Sequence, residues 1–132
     1  MVALLVIAHA PLAQAFHEAA AHVYSDCDTC LQVLDVTPDL GCDALESRIR
    51  DALQRACHPQ VLILADVFGA TPCNVARRFV DDERVALVSG LNVPMLWRAV
   101  SAAQKPDATL ELVRQRALDG ARDGVMAVER SG

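Results

Sequence analysis

The chain has 132 residues, 53% of them apolar and 22% charged, with a formal net charge of −5. This is enough for one hydrophobic core and too little for two ordinary domains, and the composition is far from that of disordered chains, so residues 1–132 read as one domain. The twelve cations, eleven arginines and Lys105, are scattered along the chain, which argues against a nucleic-acid partner, because phosphates call for a concentrated basic face.

The opening MVALLVIAHA is apolar, but it lacks a basic leader and is too short to span a bilayer. It reads as a first strand over 2–8 in a cytoplasmic protein without membrane insertion. Pro11 then opens a helix reaching about Tyr24, with Leu12, Phe16, Ala19, Ala20 and Val23 at helical spacing. A second strand is expected at LQVLDV (31–36), followed by a helix from about Asp43 to Cys57 that places Leu45, Ile49, Ala52, Leu53 and Ala56 on one face. The third strand is VLILA (61–65), with a helix from Pro72 to Val80 after it. VALVS (85–89) is the fourth strand. Asn92 with Pro94 opens a fourth helix, which ends before Lys105-Pro106. TLELVRQRAL (109–118) is helical, and VMAVE (125–129), beyond Gly120 and Gly124, is a late strand or the end of that helix. Strict βαβα alternation with wholly apolar central strands implies an α/β fold, a doubly wound parallel sheet with right-handed crossovers and helices on both faces.

Five cysteines (Cys27, Cys30, Cys42, Cys57 and Cys73) without a secretory leader imply free thiols in a reducing compartment. Cys27 and Cys30 have CxxC spacing that Cys42, Cys57 or His58 could complete as a zinc site. A second paired motif is missing, so incidental thiols are the preferred reading and no metal is expected. His17 and His22 lie on a helix that needs a solvated face and His58-Pro59 ends another, so none of the three is read as functional.

In an open doubly wound sheet, ligands sit outside the carboxyl ends of the strands, where strand order reverses. Only the segments after strands one and three put titratable groups against strand ends, His9 and Asp66. With strand order 2-1-3-4 these two face each other. A carboxylate on one imidazole nitrogen fixes the tautomer and leaves the other nitrogen as a directed nucleophile. His9 is therefore the expected nucleophile and Asp66 its orienting partner. Thr71-Pro72 is a helix start with Thr71 as the expected cap, and Gly69 allows a tight approach before it. Gly69, Ala70, Thr71, Cys73 and Asn74 form the expected phosphate cradle, with backbone amides and the Thr71 hydroxyl as donors. The three parts together read as phosphoryl transfer through a phosphohistidine.

These residues also carry a resemblance. LVIAHA (5–10), ADVFGATPCNVA (65–76) with its D-x-x-G-x-[ST]-P-x-N pattern, and SGLNVPML (89–96) resemble the IIA component of the mannose class of the bacterial sugar phosphotransferase system over essentially the whole chain. The resemblance implies strand order 2-1-3-4 and a homodimer exchanging a C-terminal antiparallel strand, here 125–129. It implies that His9 accepts a phosphoryl group from the phosphocarrier protein HPr and passes it to a IIB partner, that Asp66 orients His9, that Thr71 serves the phosphate-binding helix start, and that no metal or nucleotide cofactor is used. His9 lies between Ala8 and Ala10, where the family commonly has Gly or Thr nearby. A stand-alone form is expected, with no fused IIB domain and with a regulatory output rather than sugar import.

Two rival readings share the fold. A receiver-like domain would be phosphorylated on Asp66, but it needs acidic residues after strand one and a late-strand lysine, and here there are Ala8-His9-Ala10 and a Lys105 between helices. A non-catalytic regulatory module would keep a modifiable His9 and signal through phosphorylation-dependent contacts.

Overall fold

The computed structural model describes residues 1–24 and 30–131. Four parallel strands, β1 (Ala3–His9), β2 (Leu31–Val36), β3 (Val61–Ala65) and β4 (Val85–Ser89), form one sheet of order β2-β1-β3-β4. The helices are α1 (Leu12–Ala21), α2 (Cys42–Gln54), α3 (Thr71–Ala76), α4 (Val93–Ala103) and α5 (Leu110–Asp123). The expected α/β class and strand order are both present.

Strand alternation divides the core in two. Leu4, Val6 and Ala8 of β1 join Leu62 and Leu64 of β3 in a layer closed by α1, α4 and α5. Leu5, Ile7 and Ile63 face the other way, against Leu45 and Ile49 of α2 and Val75 of α3. The inner strands β1 and β3 are buried except at His9, and this double coverage is why they read as unbroken apolar runs. Truncating any of these leucines to alanine would cost about 2–5 kcal/mol.

Several expectations need correction. The third helix was expected over 72–80; α3 begins one residue earlier and stops at Ala76, where a 3-10 turn, Arg77–Phe79, takes over. The last helix runs five residues past Leu118 and takes Gly120 into its interior. There, a Cβ on Gly120 would lie 2.7 Å from the Cβ of Arg98 and 2.9 Å from the carbonyl of Pro94, so the glycine lets α4 and α5 approach closely. Among the described residues, 125–129 join no strand. Val125, Met126 and Val128 are exposed.

The cysteines also differ from expectation. Cys30 and Cys57 form a disulfide, with Cα atoms 5.5 Å apart. Cys30 precedes β2 and Cys57 follows α2; because α2 returns antiparallel to its strand, both reach the amino end of the sheet. Cys42 and Cys73 are free. Cys27 lies outside the described residues, and among those described no group of three or more metal-ligating side chains is gathered. No described helix is long and apolar enough to cross a membrane.

Candidate functional site

His9 closes β1 and Asp66 is the first residue beyond β3. The two strands pair directly, in a register that sets Ile7 opposite Ala65, so the next residues emerge together at the carboxyl edge. Asp66 Oδ2 lies 2.7 Å from His9 Nδ1 and accepts the His9 backbone N–H at 3.1 Å. Its Oδ1 accepts the Val67 N–H at 2.9 Å. The His9 side chain is 50% exposed and that of Asp66 only 9%, which separates an accessible ring from a sequestered partner.

Burial pushes the Asp66 carboxyl upward, but the hydrogen bond from the His9 ring, the His9 backbone N–H, the ring's charge and the Val67 N–H outweigh it and hold the group below the ordinary aspartate range. An ionised carboxylate only accepts hydrogen bonds. Its contact with Nδ1 therefore requires Nδ1–H, and a neutral His9 ring carries its lone pair on Nε2.

His9 lines a cleft of about 110 Å³ with Val36, Thr37, Pro38, Leu40, Thr71 and Pro72. Strand β2 supplies one wall through the segment that follows it, and the start of α3 supplies the other. Gly69 adopts φ +87°, and a Cβ there would meet nothing within 4 Å, so the position calls for glycine through backbone conformation alone. Ala70 is extended and occupies the cap position of α3. Thr71 is therefore the first helical residue, and no side chain caps this helix, contrary to the expected Thr71 cap. The Asn74 amide is not available as an expected donor either, since it donates to the Ala70 carbonyl at 2.9 Å. The Asn74 side chain instead braces the loop, its Nδ2 donating to the Gly69 carbonyl at 3.2 Å. Helix geometry leaves the Thr71 and Cys73 amides without intrahelical acceptors, and Pro72 has none to offer. Thr71 is exposed and Cys73 buried.

One polar residue of the site region escaped the sequence reading. Asp35, on β2, accepts the Ala13 N–H at 2.8 Å and the Gln14 N–H at 3.2 Å, across the gap to the first turn of α1. Its signal was a lone carboxylate in the apolar run LQVLDV.

A family model described as "PTS system fructose IIA component" matches residues 3–115. The sorbose-specific EIIA component of the phosphotransferase system (PTS) from Lacticaseibacillus casei is 31% identical over 94 residues, covering 70% of this chain and 67% of the relative. The fructose-specific EIIA component of Bacillus subtilis is 26% identical over 103 residues, covering 76% of this chain and 70% of the relative. Among solved structures, a mannose/sorbose-specific IIA subunit from Enterococcus faecalis superposes with a TM-score of 0.85 at 20% identity, covering 99% of this chain and 97% of that one.

Proposed function

The chain belongs to the IIA family of the sugar phosphotransferase system, a family of phosphoryl carriers, and we propose that His9 is its phosphoacceptor. The observation that carries this reading is the 2.7 Å contact of Nδ1 with a sequestered, ionised Asp66 beneath a half-exposed ring. The Nε2 lone pair attacks the phosphorus of phosphorylated HPr. The phosphorus–nitrogen bond of the donor breaks, its imidazole leaves with the electron pair, and a new bond forms to Nε2. Nδ1–H stays on the His9 ring throughout, and Asp66 stabilises the positive charge that develops there. Thr71, through its hydroxyl and N–H, and the Cys73 amide at the start of α3 receive the phosphoryl oxygens, with Gly69 and Ala70 shaping the approach. Transfer to a IIB acceptor reverses the same step.

Phosphorylation of Asp66 in the manner of a receiver has poor support, because that carboxylate is 9% exposed and hydrogen-bonded at both oxygens. The setting we propose is the cytoplasm. The partner proposal includes a second copy of the chain, whose segment 125–129 pairs antiparallel with an edge of the sheet; β2 and β4 are the edge strands.

The test is incubation with phosphoenolpyruvate, enzyme I and HPr, followed by intact mass and site mapping at alkaline pH, where phosphohistidine persists. One added phosphate on His9, absent in His9→Ala, is the expected result. A folded wild-type chain that gains no phosphate would overturn the proposal.

A further inference from the structure

Two constraints fix the direction of the His9 ring. Upstream is the β1–β3 pairing that carries the Asp66 contact. Downstream, only Ala10 and Pro11 separate His9 from the first residue of α1, so the placement of that helix start sets the path of the turn. This helix has no cap of its own. Pro11 stands at the cap position, and it makes no side-chain cap hydrogen bond.

The missing cap comes from another strand. Asp35 is opposite Ala8 in the β1–β2 register, one residue short of His9. Its Oδ1 takes the amide of Ala13 and its Oδ2 that of Gln14, the second and third helical positions, which a local cap would normally serve. Both oxygens are used, and a carboxylate suits the positive end of a helix. The Ala10 N–H completes the anchorage, donating to the Val36 carbonyl of the same strand at 2.9 Å. Strand β2 thus holds the chain on either side of Pro11. A further consequence concerns the phosphate: of the two helix starts that follow β1 and β3, that of α1 has its Ala13 and Gln14 amides taken by Asp35, while that of α3 adjoins the cleft.

We propose that Asp35 is a positioning residue for His9, which clamps the start of α1 to β2 and so fixes the His9–Pro11 turn and the direction in which the ring presents Nε2. This rests on the reading of His9 as the phosphoacceptor.

The experiment compares wild type, Asp35→Ala, Asp35→Asn and Gln32→Ala in the full chain by two readouts: the rate of His9 phosphorylation by phosphorylated HPr, and the ¹⁵N signature of the His9 ring, which reports its tautomer without any phosphate. Gln32 is the structural control, since it lies on the same strand but donates to the Ala52 carbonyl of α2 at 2.8 Å, away from α1. Asp35→Ala is expected to slow phosphorylation by at least tenfold and to turn the single Nδ1–H signature into a mixture. Asp35→Asn, which keeps one acceptor oxygen, is expected to be three- to tenfold slow. Gln32→Ala should lower the melting temperature and change neither readout. A folded Asp35→Ala with wild-type ring signals and a rate within twofold of wild type would overturn the proposal, as would an equal loss in Gln32→Ala. Should Asp35→Ala fail to fold, Asp35→Asn decides, and wild-type behaviour in it overturns the proposal. If the wild-type chain takes up no phosphate, the phosphoacceptor reading fails by itself, and the ring signature still decides whether Asp35 orients His9.

Discussion

Asp66→Asn removes a charge while nearly preserving shape. In the native site Oδ2 serves the His9 ring and backbone N–H, and Oδ1 serves Val67. An amide has one acceptor oxygen, so its NH₂ must face either the ring or the Val67 N–H, and the fold loses about one hydrogen bond, worth about 1–2 kcal/mol. The effect on transfer should be larger. In the proposed transfer Nε2 bonds to phosphorus with Nδ1–H in place, which makes the ring cationic beside the carboxylate. Two unit charges about 4 Å apart attract by about 4 kcal/mol at an effective dielectric of about 20. With the ring 50% exposed, solvent screening reduces this, and about 2–3 kcal/mol is a reasonable loss, roughly 30- to 150-fold in rate. Rapid-quench measurement of phosphate uptake from phosphorylated HPr, stopped in alkali, gives the rate, and a thermal melt of the same sample shows that the variant is folded. Transfer within threefold of wild type in a folded Asp66→Asn protein would refute the idea that the carboxylate charge is used.

Gly120→Ala gains about 1 kcal/mol of helix propensity, but its Cβ would meet the Arg98 Cβ and the Pro94 carbonyl at 2.7 and 2.9 Å. Neither can swing aside, and overpacking costs about 1–3 kcal/mol, so the denaturation midpoint should fall; a rise would show that α4 shifts freely. Cys57→Ser opens a cross-link between residues 27 positions apart, worth about 3–4 kcal/mol by loop entropy. The melting temperature without reductant should drop and become insensitive to dithiothreitol, while phosphate uptake, at the other end of the sheet, should be unchanged. Backbone N–H groups of Val85, Arg84 and Glu83 hold the Asp81 carboxyl below the ordinary aspartate range, and Asp66 is lowered as well. The folded chain therefore binds fewer protons at these groups than the unfolded one. Their stabilisation is complete above about pH 4 and disappears as pH falls through the lower folded values. Urea midpoints between about pH 6 and pH 2.5 should decline less steeply in Asp81→Asn than in wild type; parallel curves would remove Asp81 from the account.

The inner strands were legible because burial on both faces leaves β3 apolar throughout and β1 apolar at every position but the last, which is His9. The His9–Asp66 encounter was legible for the same reason: a strand end is a place as well as a segment, and strand order decides which ends are neighbours. Helix limits were less so. Apolar spacing does not distinguish the last turn of α3 from the 3-10 turn Arg77–Phe79, and the cap fell on Ala70, whose side chain offers nothing to recognise. Gly120, past which the sequence left strand and helix equally open, is a close contact with α4 inside α5.

What the sequence hid shares one physical character. The Cys30–Cys57 bond, the packing of Gly120 against Pro94 and Arg98, and the Asp35 clamp on Ala13 and Gln14 each join segments through the register of a strand or the rotation of a helix. Local spacing carries no record of either. Asp35 shows the point most directly. A carboxylate within an apolar strand costs free energy unless its oxygens are satisfied, so its presence one residue from the end of LQVLDV signalled that a partner existed. Only the β1–β2 register, which sets it opposite Ala8, assigns that partner to α1. A charged residue near the carboxyl end of a strand beside the switch point is thus best read together with the helix that follows the neighbouring strand. Where that helix has no cap of its own, as α1 has none, the two features account for each other.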